Sequence, residues 1–328
     1  MTSHVRQDAR ENAGIAQGKN RGNGYGATST SWHLAGKTCP VNGNLPKGEH
    51  DLIEWEDLLH WQRDNEFIPS SYRRATFSCY RSLQSVFRLH NETVNIWSHI
   101  LGTIGFLCAL GVLVVFIQRE DVESADHLAV LIYFISVIAC FFLSIVYHIF
   151  LDHSQYIRTW TGRLDCLGIV VPLWGTTIAS THFGFYCEST LREGYGIAAT
   201  IAGLACAVTT LHPSFCGPAS RRFRTAMYLL LGLSSFLPIV HGICLFGLGQ
   251  MEWRMSLSYY LALGLCHGTG AMAYATRIPE RWTPRRYDVV GNSHQIMHLL
   301  VVCGAVAYGL GVLKAQQHWA GLGCANVV

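Results

Sequence analysis

The chain contains a series of apolar stretches, each roughly 18 to 25 residues long and each poor in charge. Crossing the hydrocarbon core of a bilayer takes about 20 consecutive apolar residues of α-helix. Only 14% of the 328 residues are charged, whereas soluble domains carry about 25%. The sequence therefore predicts an all-α, integral, multi-pass membrane protein.

Seven stretches are predicted to span the membrane, with short connections that favour a single seven-helix bundle. Their approximate positions are 96–118, 127–150, 165–185, 195–212, 226–247, 256–276 and 293–314. The fourth is the shortest, and the fifth contains Pro238, which a membrane helix tolerates when neighbours satisfy the freed carbonyl.

The remaining residues divide into three predicted regions. Residues 1–50 are rich in Gly, Asn, Ser and Thr without apolar periodicity, which predicts a disordered cytoplasmic tail. Because the residues near Met1 contain no apolar segment, a signal peptide is not expected. Residues 51–92 are predicted to form amphipathic or interfacial helices, because apolar residues recur there among charges. The membrane domain would then occupy 93–314, and 315–328 would be a short external tail.

The placement of arginines predicts the orientation of the bundle. Basic residues cluster before the first span and in the connections after the second, fourth and sixth spans, whereas the other three connections are mixed or acidic. Short cytoplasmic loops are enriched in Lys and Arg. We therefore expect a cytoplasmic N-terminus and an external C-terminus, the reverse of G-protein-coupled receptors.

Polar side chains near the ends of three spans are predicted to meet at one depth. Ser144 and His148 are four residues apart near the end of the second span, so they share a helix face. His294 and His298 share a face at the start of the seventh span, and Asp165 lies near the start of the third. The predicted topology puts all five residues in the cytoplasmic third of the bundle.

Three imidazoles and a carboxylate are ligand types that Zn²⁺ prefers, and three protein ligands plus a water would form an open, catalytic type of site. Asp165 would ligate the metal directly or accept a proton from its bound water, and Ser144 would hydrogen-bond that water or a substrate. The alternative is that each histidine is simply hydrogen-bonded or interfacial, since a His-x-x-x-His pair without a glutamate is a weak metal motif. Packing hydrogen bonds are expected for the histidines of other spans, which are His99, His182, His241 and His267.

Several functional classes find no support in the sequence. It contains no phosphate-binding loop, nucleophile elbow, dinucleotide fingerprint or nucleic-acid motif, so the arginines are interpreted as topology signals. Most of the 12 cysteines lie singly in apolar stretches, where a thiol acts as a small hydrophobic group. Cys187 and Cys324, which are predicted to share an aqueous side, are the candidate disulfide pair.

Four stretches carry a resemblance to a known family: "FRLHNETVNIWSHILG" (87–102), "SIVYHIFLDHS" with "GRLDCLGI" (144–168), "YATRIPERWTPRRYD" (274–288) and "SHQIMHLLVV" (293–302). The chain resembles the progestin and adipoQ receptor family, which includes adiponectin receptors, fungal Izh proteins of zinc homeostasis and the haemolysin III group. The resemblance implies a seven-helix bundle with zinc near the inner leaflet. It assigns zinc binding to His148, His294 and His298 and the zinc-held water to Asp165, while Ser144 matches the first residue of the S-x-x-x-H motif.

The same resemblance implies two functions in lipid and metal homeostasis. Because the family is related to alkaline ceramidases, the first is a zinc-dependent, ceramidase-like amide hydrolase, with Asp165 as general base and Ser144 orienting the water or the oxyanion. The second is a membrane receptor or sensor whose zinc is purely structural. Expected partners are membrane lipids (ceramide, a fatty acid or a sterol-like ligand), in the plasma membrane or an endomembrane. A channel or transporter is less favoured, because nothing indicates inverted repeats, or broken helices beyond the one at Pro238.

Overall fold

The structure is a computed structural model that describes residues 52–116, 122–212, 221–322 and 324. They belong to one unit, Gly48–Val328. The predicted N-terminal tail, 1–50, lies outside the described residues. Among the described residues the regular structure is helical, and β pairing is limited to one bridge between Ile53 and Tyr72. The predicted all-α class is therefore confirmed.

The described part of the chain contains nine α-helices. They are α1 (Cys79–Ser85), α2 (Thr93–Phe116), α3 (Ser124–Phe150), α4 (Gln155–Gly184), α5 (Ser189–Leu211), α6 (Arg221–Ser234), α7 (Leu237–Met255), α8 (Leu257–Thr276) and α9 (Ser293–Trp319). α4 begins ten residues before the predicted span, and α9 continues five residues into the predicted external tail. Pro238 stands in the first turn of α7, where its missing N–H costs no helical hydrogen bond, and α6 ends just before it.

Six segments in the described ranges are long and apolar enough to cross a membrane. They are Thr93–Val115, Ser124–Phe150, Gln155–Gly184, Ser189–Leu211, Ala226–Met255 and Ser293–Trp319. The predicted span 256–276 forms α8, whose Gly, His, Thr and Tyr residues make it less apolar than these six. The multi-pass membrane character is confirmed, and the seven-pass arrangement stays a prediction.

The segment before α2 differs from its prediction. Instead of one amphipathic helix, residues 52–62 form two short 3-10 turns, Trp55–Asp57 and His60–Gln62, because the backbone between them is extended. In this stretch Leu52 and Leu59 are exposed. Leu58 is buried in a small apolar cluster with Ile53, Ile68 and Tyr72. Of the helices predicted over 51–92, the structure therefore contains α1, whereas the prediction of a helix over 52–62 is wrong.

Arg73 fixes the end of α3 that carries His148. The guanidinium is buried and donates to the carbonyl oxygens of His148 at 2.6 Å and Ile149 at 3.0 Å. It also lies 3.6 Å from the Asp152 carboxylate. The last carbonyls of a helix have no partner within it, so this arginine caps α3 besides contributing positive charge.

Glu280 fixes the start of α9 in a similar way. The carboxylate is buried and accepts from the Ser293 backbone N–H at 2.8 Å, from the Ser293 hydroxyl and from the Asn65 amide at 3.0 Å. The Asn292 side chain caps the first turn of the helix. A negative group at a helix N-terminus is stabilising. Glu280 therefore stabilises the first turn of α9, which carries His294, and connects it to Asn65 in the segment before α1.

His90 links the end of α1 to the residues immediately before α2. It is buried, its Nδ1 accepts from the Glu92 backbone N–H at 3.0 Å, and its Nε2–H donates to the Ser85 carbonyl at 3.2 Å. These two bonds fit a neutral ring with its proton on Nε2. Burial, and then the nearby Arg73 charge, lower the pKa of His90 from 6.5 to about 3.

The opposite end of the bundle is held by a polar cluster and a disulfide. Asp126 is buried, lies 2.7 Å from His182 Nε2 and accepts from the Tyr186 hydroxyl at 3.1 Å. Cys187 is bonded to Cys324, with Cα atoms 5.5 Å apart, which confirms the predicted pair. This covalent link ties the segment after α9 to the α4–α5 connection.

Candidate metal centre

The three histidines predicted to bind metal lie together where α3 ends and α9 begins. Ring centroids are 5.1 Å apart for His148 and His294, 4.7 Å for His148 and His298, and 4.9 Å for His294 and His298. One nitrogen from each ring falls within 4.8 Å of the others. His148 and His298 are buried, at 0% and 2% exposure. The fold thus assembles the predicted histidine set, hereafter the histidine centre.

Glu92, immediately before α2, orients His148. His148 Nδ1 lies 2.8 Å from the Glu92 carboxylate, which also accepts from the Asn95 amide at 2.7 Å. A carboxylate only accepts, so Nδ1 carries the proton, and His148 Nε2, which has no hydrogen-bond partner, is the ring nitrogen available to a metal ion. Burial raises the pKa of the Glu92 carboxyl, but His148 and Asn95 more than offset it, and the net pKa lies below the usual range.

His298 is held by a backbone hydrogen bond and by ring stacking. The ring hydrogen-bonds the backbone of Asn95, and its Nδ1 has no hydrogen-bond partner. On one face it stacks against His99, with centroids 4.1 Å apart and planes 25° apart, and His99 in turn stacks on Phe141 at 4.8 Å. These contacts restrict the rotation of His298 and leave Nδ1 as its free ligand atom.

Ser144 and Asp165 lie beside the histidine centre rather than within it. Ser144 is buried one turn before His148 and hydrogen-bonds the Asp165 carboxyl group. The carboxyl interacts electrostatically with His148, but its oxygens do not belong to the compact group of ligand atoms. The fold thus brings Ser144 and Asp165 together next to the histidines, with the carboxyl group outside the compact set of ring nitrogens.

The residues at the histidine centre fit a zinc ion by chemistry and nearly by geometry. Two buried ring nitrogens, His148 Nε2 and His298 Nδ1, have no hydrogen-bond partner, which is costly unless another group satisfies them. Nitrogens bound to one tetrahedral zinc at about 2.0–2.1 Å lie about 3.4 Å apart. The three ring nitrogens lie within 4.8 Å of one another, so the rings would have to move closer together to share one ion. Zinc is preferred over hard cations because imidazole ligands suit it.

Three residues of this region were not identified as functional from the sequence. Glu92 is an acidic residue at the edge of the first span, at the same end of the bundle as His148. That position would have identified Glu92 as a possible partner of the histidines. Arg73 was interpreted only as a topology signal. His99 was expected to make packing hydrogen bonds, but neither of its ring nitrogens has a partner.

The other three span histidines do make the expected packing hydrogen bonds, away from the histidine centre. Their partners are Asp126 for His182, Tyr195 for His241 and the backbone of Val301 for His267. His267 Nε2 is nevertheless without a partner.

Comparison with known proteins adds independent information. A model of the family described as "Haemolysin-III related" matches residues 87–308, a range that contains all five predicted site residues. The chain is 33% identical over 289 residues to "Adiponectin receptor protein" of Drosophila melanogaster, covering 88% of this chain and 61% of that protein. It is 30% identical over 292 residues to "ADIPOR-like receptor IZH2" of Saccharomyces cerevisiae, covering 86% and 90%. It is also 30% identical over 294 residues to "Heptahelical transmembrane protein 3" of Arabidopsis thaliana, covering 78% and 85%.

Proposed function

The chain belongs to the haemolysin-III related family, and on that premise we propose that it is a zinc-dependent hydrolase of ceramide-like lipid amides in the membrane. The observation that carries the proposal is the histidine centre, where His148, His294 and His298 converge inside a bundle of membrane-spanning helices. An open three-histidine set is typical of catalytic zinc, and its depth suits a substrate that partitions into the bilayer.

Each residue has a defined task in the proposed reaction. The three histidines would hold Zn²⁺, which when bound supplies a Lewis acid for the amide carbonyl and makes a neighbouring water more acidic. Asp165 accepts the proton of the attacking water and returns it to the leaving nitrogen. Ser144 donates a hydrogen bond to Asp165 and so keeps that carboxylate directed to its task. Water adds across the C–N bond and yields a fatty acid and a sphingoid amine.

We also propose the orientation in which the histidine centre faces the cytoplasm. The arginines of the connections at that end support it through the positive-inside rule. The disulfide between Cys187 and Cys324 supports it independently, because disulfides persist in oxidising compartments outside the cytosol. The plasma membrane and endomembranes both provide these two environments.

A receptor or sensor with structural zinc is the second candidate. The names of the fly and yeast relatives contain the word receptor. An ion held by ligands from α3 and α9 would also cross-link two helices that are distant in the sequence. A fatty acid, a ceramide or a sterol-like lipid would then act as ligand, and its binding would need no reactive water. Lipid and metal homeostasis is the physiological setting of either candidate.

One set of variants separates the two functions. The protein, purified in detergent with zinc, is assayed for fatty acid released from long-chain ceramide, and its zinc content is measured in parallel. We expect the double variant His294→Ala/His298→Ala to lose both zinc and activity. Asp165→Asn should retain zinc and lose activity by about 100-fold or more, the usual contribution of a general base.

The matched control is His60→Ala, which removes an exposed histidine outside the bundle and should change neither zinc content nor activity. A wild-type protein that carries zinc but releases no more fatty acid than the double variant would refute the hydrolase. Lipid binding and signalling that survive Asp165→Asn in such a protein would support the receptor.

A further inference from the structure

A small polar cavity lies next to the histidine centre, between the segment before α2 and the bundle. Its volume is about 40 Å³, and its lining includes Gln62, Glu92, Asn95, Arg158 and His294. A buried water needs about 10–15 Å³ of such volume, so the cavity has room for a few waters. His294 gives it direct contact with the histidine centre, and Glu92 contacts His148 from the same wall.

Three buried polar atoms of the lining have no partner in the protein. They are Gln62 Oε1, Asn95 Oδ1 and Arg158 Nη1. Gln62 and Asn95 are only 4% and 2% exposed. Their amide nitrogens donate to the Arg73 carbonyl and to Glu92, which fixes which end of each amide is the unsatisfied oxygen. Buried polar groups in proteins are nearly always satisfied, so this cavity is built for a polar occupant.

The charges around the cavity select the type of occupant. Two amide oxygens and the Glu92 carboxylate would repel an anion in the cavity, and the Arg158 guanidinium would repel a cation. Arg277 is paired with Asp64 at 3.3 Å and adds no net charge. Water donates two hydrogen bonds and accepts two, which matches two unsatisfied acceptors and one unsatisfied donor.

We propose that this cavity is a water site that feeds the histidine centre. Resting on the proposed function, its role is to supply the one water consumed for each amide bond cleaved. A second cavity, of about 20 Å³, is lined mainly by apolar residues such as Val137, Phe141 and Leu263, with His267 as its unsatisfied polar contact. Its lining includes none of the three histidines of the histidine centre, whereas the first cavity is lined by His294, so the first cavity is the one that borders the histidine centre. Gln62, Asn95 and Arg158 are positioning residues for that water.

The hydration itself can be tested without any assay of activity. The zinc-loaded protein in detergent is mixed rapidly with ¹⁸O water and irradiated with a short X-ray pulse, and ¹⁸O incorporation is read by mass spectrometry. Tyr72 lines the cavity, whereas Tyr308 is buried in the core. We expect Tyr72 to be labelled at least about fivefold faster than Tyr308. Equal labelling of the two tyrosines would overturn the proposal.

Two variants test the lining. Gln62→Met removes one acceptor at similar size, and it should reduce Tyr72 labelling and lower kcat for ceramide about fivefold, the effect of one hydrogen bond, with KM and zinc content unchanged. Gln84→Met, at an exposed position of α1, is the matched control and should change nothing. If Gln62→Met does not fold, Ile68→Phe, which narrows the cavity from an apolar wall, should produce the same losses.

The outcomes separate this inference from the proposed function. Rapid labelling of Tyr72 in a protein that hydrolyses no ceramide refutes the hydrolase and retains the water site. Hydrolysis of ceramide with Tyr72 labelled no faster than Tyr308, or with kcat unaffected in both lining variants, refutes the water site and retains the hydrolase.

Discussion

Replacing Glu92 by glutamine should weaken the zinc binding that we propose for the histidine centre, although Glu92 is not one of its three histidines. The carboxylate accepts from His148 Nδ1 at 2.8 Å, and this bond holds the ring so that Nε2 faces the other two histidines. Glutamine keeps the size and can still accept from Nδ1–H, but it removes the negative charge that makes the imidazole more basic.

The expected magnitude follows from the strength of that bond. A hydrogen bond to a charged group contributes about 1.5–3 kcal/mol, whereas a neutral one contributes about 0.5–1.5 kcal/mol. The difference, about 1–1.5 kcal/mol, corresponds to roughly a tenfold rise in the Kd for zinc. Glu92→Ala loses the bond entirely and should approach the upper end of the tenfold to hundredfold range seen for such partners.

The assay is competition for zinc between the purified protein and a chelator of known affinity. Glu54→Gln, which removes a carboxylate whose side chain is 51% exposed, is the matched control and should leave the Kd unchanged. A Kd for Glu92→Gln within twofold of the wild type, in a protein of unchanged melting temperature, would refute the assignment of Glu92 as the residue that orients His148.

Three further predictions concern stability, measured as the melting temperature of the purified protein. Arg73→Met leaves the end of α3 uncapped and should cost about 3 kcal/mol, whereas Arg88→Met, at an exposed position, should stay within about 0.5 kcal/mol. Gly175→Ala places a Cβ against the Ser136 hydroxyl and should cost about 1–3 kcal/mol, whereas Gly194→Ala meets no atom and should be neutral or slightly stabilising. Because the pKa of His90 falls from 6.5 to about 3 on folding, its contribution is complete above pH 6.5 and is lost towards pH 3; His90→Gln should flatten this part of the pH profile, and an unchanged profile would refute it.

Much of the fold could be predicted because a bilayer imposes its demands on local sequence. A span must be long, apolar and helical, since backbone groups in hydrocarbon have no other partner, and these properties are visible within one stretch of sequence. The exceptions have local causes too. The apolar sequence of α8 is interrupted by polar and small residues, although the helix itself is continuous. The stretch before Ile68 has apolar and acidic residues at helical spacing, but its backbone is extended between two short 3-10 turns.

The histidine centre was partly predictable for a related reason. Helical spacing puts His294 and His298 on one face, and topology brings His148 and Asp165 to the same depth. Depth does not determine how each helix is rotated about its axis. The sequence therefore supplied candidate ligands, whereas the distinction between the compact histidine set and the adjacent Asp165 required the packed bundle.

The all-α class, the membrane location and the candidate metal ligands could thus be predicted from the sequence, since hydropathy and helical periodicity are properties of neighbouring residues. Only the tertiary structure decided that Glu92 orients His148, that His99 stacks on His298 and that Arg73 caps α3. It alone brought Gln62 and Arg158 to one cavity. Each of these contacts joins residues on separate elements, and their geometry depends on how the helices pack, which no local pattern encodes.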